Sequence, residues 1–357
     1  MSHPTVPATM LAARFHAGER GVTLEEVPVP VPGRGDVLIE VAYCGICMSD
    51  VHMVDGTLPP FVSEVTPGHE SAGTIAAVGD DVPDAWSVGR EVVLTAGKRC
   101  GACLSCINGQ PFDRCLTPLI MGSFYDGAWA QYVLVSFAQL VALPGGVPLD
   151  QAAVLTDAVA TPYAALKDTA QLQVAESIGI WGLGGLGTHA VQLARVLGAA
   201  PIIAIDVSEF ARNRALALGA DAALDPADPD FAVRILELTD GLGLDVAAEF
   251  VGSSSVRNQA VTSLAAHGRV VMVGLAPDPL VLTDSMTPVM RSQSLRGHLG
   301  ANPTHLRELV SLVQHRRLDV SASVTRVYPL GQIHEALGAI ERREGHPVRL
   351  VLDPRGR

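Results

Sequence analysis

Ile178-Gly-Ile-Trp-Gly-Leu-Gly-Gly-Leu-Gly187 is a short apolar run followed at once by a glycine-rich turn, and a helical pattern begins directly after it. Strand, tight turn and helix in this order lift G-x-G-x-x-G above a chance match. Gly182 permits the turn, Gly184 lets backbone approach a pyrophosphate, and Gly187 lets helix and strand pack closely, while Leu183, Gly185 and Leu186 complete the loop. The helix start then presents its unbonded N–H groups to the anion. Asp206 follows about 20 residues further on, at the end of the next strand-like run. A carboxylate there accepts ribose hydroxyls and repels a 2'-phosphate, so NAD is expected in preference to NADP, with Arg212 near enough to soften the preference. The alternative is a glycine turn without a ligand and Asp206 as a solvated strand end.

From this turn outward, strand and helix signals alternate. Residues 177–181, 201–205, 245–250 and 269–273 read as strands, 188–197 and 209–218 as helices, and 296–299 as one further strand. Such alternation predicts βαβ units and a parallel sheet with helices on both faces. Upstream, residues 152–170 have helical spacing with Pro162 as a kink or first-turn proline. From about residue 10 to 150 the chain is mostly β, with strand patterns at 37–41, 74–78, 91–94 and 129–135 punctuated by glycine and proline. The tail from Asn302 carries two helical patterns around a strand-like 323–328 and closes on an apolar run at 347–352.

The chemistry concentrates in Tyr43-Cys-Gly-Ile-Cys-Met-Ser-Asp-Val-His52 and Pro67-Gly-His-Glu70. Thiols, a hydroxyl, carboxylates and imidazoles persist together mainly where a metal or a proton path uses them. Cys47 and His69 offer the thiolate and imidazole that suit zinc. A second cluster, Cys100, Cys103, Cys106 and Cys115, supplies four thiolates from one loop, enough to close a tetrahedron around a structural zinc; an iron–sulfur cluster is the rival ligand. All 6 cysteines fall in the first third of the 357 residues at metal-like gaps, which points to metal binding and a reducing cytoplasm rather than disulfides. With 25 basic against 37 acidic residues the formal charge is -12, which argues against nucleic acid as a partner. No long apolar run suggests a membrane span, and the early prolines and arginines argue against a signal peptide.

Taken in order, Gly45-Ile-Cys-Met-Ser-Asp50, Gly68-His-Glu70, the four-cysteine loop, Thr156-Asp-Ala with Thr161-Pro-Tyr163, and the glycine turn with Asp206 resemble the zinc-dependent medium-chain alcohol dehydrogenases over nearly the whole chain. The resemblance implies an α/β protein with a GroES-like, mostly β catalytic domain (1–157), a Rossmann NAD-binding domain (158–301) and a tail (302–357) returning to the catalytic domain. It implies two zinc ions per chain, one catalytic and one structural, NAD as cofactor, and a homodimer or homotetramer. Cys47, His69 and Asp157 would ligate the catalytic zinc. Many relatives have cysteine where Asp157 stands, and the competing role for Asp157 is the N-cap of a helix starting at Ala158. Glu70 and Cys44 are substitute ligands, Cys44 reading otherwise as a core thiol.

Ser49 and His52 would carry the proton, Asp50 would orient His69, Thr161 would lie near the nicotinamide, and Arg349 near the pyrophosphate or Glu70. Met48 replaces a basic residue common in relatives. The implied activity is reversible hydride transfer between an alcohol and NAD, and Ala96, which the resemblance puts near a pocket-wall position often aromatic in relatives, would leave room for a bulky or cyclic substrate. The alternatives are a zinc-free enone or quinone reductase of the same fold and a non-catalytic nucleotide-binding protein.

Overall fold

A computed structural model describes residues 6–110 and 112–356; Pro4, one of the early prolines in the sequence argument, lies outside them. The backbone divides into two units, one running to Ala160 and resuming at Gly300, the other Thr161–Leu299.

In the first unit a sheet runs Leu140–Ala142, Glu91–Leu94, Glu70–Val78, Asp36–Ile46, Arg349–Asp353, Val324–Pro329, and Tyr132–Ser136 also pairs with Asp36–Ile46. Asp36–Ile46 is central, which is why its apolar residues face both ways: Val37, Ile39 and Val41 enter the main core, while Leu38 joins a second cluster with Met10, Ala12, Val29 and Ala130. The expected strand at 129–135 begins instead at Tyr132. Gly127, Ala128 and Trp129 donate their N–H groups to Thr66, Gly68 and Pro67, so this stretch braces the segment before His69. The tail completes the sheet: Leu350, Val351 and Leu352 pair antiparallel with Ile46, Gly45 and Cys44.

The helix expected at 152–170 starts earlier, at Leu149, and is not regular. Leu149–Val154 passes into a π-helical turn at Leu155–Val159, then α-helix Ala160–Ala164, then a second π turn at Ala165–Thr169. Pro162 has no N–H for the carbonyl four residues back, so the hydrogen-bond ladder must change there. π turns of this kind cost regular bonding and recur at functional sites. Asp157 therefore lies inside a continuous helical run, and the N-cap role does not hold.

The second unit is a six-stranded parallel sheet ordered Ala222–Leu224, Ile202–Ile205, Ile178–Trp181, Leu244–Glu249, Leu264–Met272, Ser294–Gly297. In chain order this is the doubly wound 3-2-1-4-5-6 arrangement, whose crevice opens where the order reverses, between Ile178–Trp181 and Leu244–Glu249. Their fully buried, β-branched character (Ile178, Ile180, Ile202, Ile203, Val246) is what a parallel sheet covered on both faces requires. The strand Ala222–Leu224 and the helices Phe231–Leu238 and Ser254–Thr262 were not expected from the sequence.

Candidate functional site

Cys47 leaves the end of Asp36–Ile46 and occupies the N-cap position of the helix Met48–Val54. Its N–H donates to Asp50 Oδ2 at 3.1 Å, and Asp50 Oδ1 accepts from the Gly68 N–H at 3.3 Å and lies 3.0 Å from His69 Nδ1. Asp50 thus fixes the backbone of one candidate ligand and the ring of the next. His69 is delivered just before Glu70–Val78 by Gly68, whose φ of +94° suits glycine and whose missing Cβ would sit 2.3 Å from Trp129 and 2.9 Å from Cys44 Sγ. Cys44 is spent in that packing, fully buried.

The π turn brings Asp157 to the same point. Its Oδ2 lies 3.4 Å from Cys47 Sγ and 3.7 Å from His69 Nε2. A tetrahedral zinc with ordinary bond lengths separates sulfur from oxygen by about 3.5 Å and nitrogen from oxygen by about 3.3 Å, so the three donors fit the ion. Glu70 also reaches the cluster, all four donor atoms lying within 4.8 Å of one another. Arg349 Nη2, however, stands 2.7 Å from Glu70 Oε1, an ionic contact at 3% and 0% side-chain exposure. Arg349 lies 3.6 Å from Asp157 and 3.9 Å from Cys47 Sγ as well. Of the two places expected for Arg349, the structure shows it at Glu70.

Charge makes the same point. Burial, then the neighbouring Asp157, push the Glu70 carboxyl up to about 8 in spite of Arg349. Burial opposes the His69 cation, but Asp50, Asp157 and Cys47 outweigh it and hold its pKa well above the ordinary value. A buried cluster that attracts a proton this strongly suits a metal cation in the proton's place. Ser49 and His52 sit one helical turn apart on Met48–Val54, both half-buried, and His52 Nδ1 is enclosed without a hydrogen-bond partner among the described residues. Met48 is exposed.

The four-cysteine loop is closed at its base by pairing of Gly97–Lys98 with Leu119–Ile120. Sγ separations of 3.4 Å (Cys103–Cys106), 3.5 Å (Cys106–Cys115), 3.8 Å (Cys100–Cys106) and 4.0 Å (Cys103–Cys115) bracket the edge of about 3.8 Å expected for a tetrahedral zinc tetrathiolate. A hydrogen bond from Thr117 and the N–H groups of Ala102 and Cys103 draw the Cys100 thiol down to about 5, whereas burial and the neighbouring sulfurs push Cys106 up to about 12.

In the second unit Gly182 has φ +83°, and a Cβ on Gly187 would lie 1.8 Å from the Gly182 carbonyl oxygen. That contact is the close helix–strand packing expected of the last glycine, while Gly184 faces open space. Asp206 Oδ2 accepts from the Leu183 N–H at 2.7 Å and Oδ1 from the Ser208 N–H at 2.8 Å, so its charge is fixed beside the turn. Arg212 is committed elsewhere, donating to the Asp206 carbonyl at 2.7 Å and pairing with Asp225 at 3.1 Å. Thr161 is buried at the head of this unit.

Residues 33–145 match the alcohol dehydrogenase GroES-like domain and residues 185–315 the zinc-binding dehydrogenase family. An NAD-dependent alcohol dehydrogenase from Sulfurisphaera tokodaii is 32% identical over 93% of this chain and 96% of its own. The chain belongs to the zinc-dependent medium-chain dehydrogenase/reductase family. A sorbitol dehydrogenase from Halalkalibacterium halodurans is 29% identical over 93% of this chain and 95% of its own. The structure of acetophenone reductase from Geotrichum candidum in complex with NAD covers 98% of each chain at 30% identity and a TM-score of 0.85. The first unit is thus the GroES-like part of a medium-chain dehydrogenase and the second its Rossmann-like part.

One residue of this dehydrogenase escaped the sequence reading at the turn. Arg214, and not Arg212, reaches the glycine loop, with Nη2 2.8 Å from the Leu183 carbonyl and 3.1 Å from Thr188 Oγ1. The only signal available was its place two residues after Arg212 on helix Glu209–Ala217, which turns it about 200° round the helix from Arg212. No helix of the described residues is long and apolar enough to cross a membrane.

Proposed function

We propose that the chain is an NAD-dependent zinc alcohol dehydrogenase that interconverts an alcohol and its aldehyde or ketone, with Cys47, His69 and Asp157 holding a catalytic zinc and Cys100, Cys103, Cys106 and Cys115 a structural one. The observation that carries the reading is the convergence of three zinc-type donors at tetrahedral separations, with Asp50 fixing two of them and Arg349 engaging Glu70. Three protein donors leave one position for substrate, as catalytic sites do, whereas the four-cysteine site is closed. Zinc there supplies the Lewis acidity that lowers the pKa of the alcohol hydroxyl, and NAD supplies the hydride acceptor.

Ser49 accepts the hydroxyl proton, and His52, one turn further along the same helix, passes it outward. Asp50 holds His69 in one tautomer and orientation, as outer partners of ligating histidines do. The fixed charge of Asp206 accepts the ribose hydroxyls and disfavours a 2'-phosphate.

Substrate class is drawn from relatives that are named for a polyol and for an aryl ketone, together with Ala96, and a secondary alcohol with a large substituent is the first choice. Reduction of NAD measured across polyols, aryl alcohols and cyclic alcohols tests the reading; no turnover with any of them, at full zinc content, would overturn it. Ser49→Ala should lower kcat by about 100-fold or more with zinc content unchanged, because a positioned proton acceptor contributes about 10²–10⁴ in rate. Near-normal turnover in that variant would remove Ser49 from the proton path. Asp206→Ala should raise the NADP/NAD ratio of kcat/KM by at least about tenfold, since it removes a like charge facing the phosphate; an unchanged ratio would place cofactor choice elsewhere.

A further inference from the structure

The fully buried Glu249 ends the fourth strand of the Rossmann sheet, beside the point where the strand order reverses. Its Oε1 accepts from the N–H groups of Val251 and Gly252, the latter at 2.5 Å. Its Oε2 lies 3.4 Å from Arg257 Nε, and Arg257 Nη2 donates at 3.0 Å to the carbonyl of Gly274, in the loop after the fifth strand. The Glu249 carbonyl accepts from Val273 and Gly274 at 2.8 and 3.0 Å. The two loops touch through backbone: a Cβ on Gly274 would lie 2.3 Å from the Gly252 nitrogen. The first loop also leans on the glycine turn, since a Cβ on Gly182 would meet Val251 Cγ2 at 2.6 Å.

A buried ion pair is poor value as mere stabilisation, because desolvation cancels most of the attraction. Here nearly every bond of the pair goes to loop backbone rather than to the core. In a doubly wound sheet each half of the strands serves one mononucleotide. Asp206 marks the half for the adenosine, so the loops tied by Glu249 and Arg257 belong to the other. We propose that Glu249 and Arg257 are positioning residues that hold these two loops in the shape that receives the nicotinamide half of the cofactor. This rests on the NAD-binding reading above.

The test compares NADH with AMP on the full chain, using NADH fluorescence and AMP competition or calorimetry. Glu249→Gln keeps an acceptor for the Val251 and Gly252 N–H groups but removes the charge facing Arg257. The inference predicts a Kd for NADH raised about tenfold, the order expected for a lost charged hydrogen bond, with the Kd for AMP within about twofold of wild type. Arg257→Lys, which keeps the charge but not the planar fork, should show the same split and carries the test if the first variant does not fold. Equal weakening of NADH and AMP would reduce the pair to a structural strut and overturn the inference, as would unchanged binding of both. Failure of the wild type itself to bind NADH would overturn the cofactor reading, and this inference with it, before any variant is compared.

Discussion

Asp157→Ala is expected to lower kcat/KM for alcohol oxidation by at least about 1,000-fold, or ~4 kcal/mol of transition-state stabilisation, and to release one zinc per chain. The residue supplies the only oxygen donor of the proposed triad, 3.4 Å from Cys47 Sγ and 3.7 Å from His69 Nε2. Without it Cys47 and His69 form a two-donor site facing Arg349, whose positive charge then opposes the cation. Glu70 is poorly placed to substitute, because Arg349 engages it at 2.7 Å. Asp157→Cys, a different ligating side chain, should retain most of the zinc. In chelator the effect on stability has opposing parts, because the Asp157 carboxylate raises the pKa of the buried Glu70 but also supports the buried His69 and Arg349 cations, so zinc content and not melting temperature is the readout. Zinc content in Asp157→Ala equal to that of the wild type would remove Asp157 from the ligand set.

Gly187→Ala should abolish measurable NADH binding and lower the melting temperature, and Gly184→Ala should weaken binding while leaving the fold intact. The contrast follows from what each methyl would meet. At Gly187 it would lie 1.8 Å from the Gly182 carbonyl, a backbone atom that cannot rotate away, so the helix Gly185–Leu197 must shift from the strand. Overpacking of this kind costs about 1–3 kcal/mol or more and displaces the helix start that receives the pyrophosphate. At Gly184 nothing lies within 4 Å, so the methyl obstructs only the ligand. Thermal melts and NADH titrations on both variants separate the roles; equal effects at the two positions would contradict the assignment.

Much of this was legible because the chemistry lies in short spacings. The glycine turn declares itself between a buried strand and a helix, and the four cysteines share one loop, so local sequence carries both. Cys47 and His69 each sit beside a strand end with a recognisable glycine, Gly45 or Gly68. The π turn at Leu155–Val159 was not legible, since Pro162 signals a disturbed helix without saying which carbonyls go unpaired or where the extra residue falls. Only the folded chain shows that Asp157 points back to Cys47 and not to the helix start. The Glu70–Arg349 contact joins the beginning and end of the chain through strand pairing; the family resemblance offered it as one of two places for Arg349, and no local pattern chose between them. Ser254–Thr262 went unseen because its apolar positions are few, and with it went Arg257 and the tie to Glu249.

Zinc content, measured by mass spectrometry on protein purified without added metal or chelator, tests the central claim most directly when wild type and Cys47→Ser are compared. The account predicts two zinc ions per chain in the wild type and one in the variant, with alcohol-dependent reduction of NAD lost alongside the missing ion. Two ions in both proteins, or none in the wild type, would contradict it.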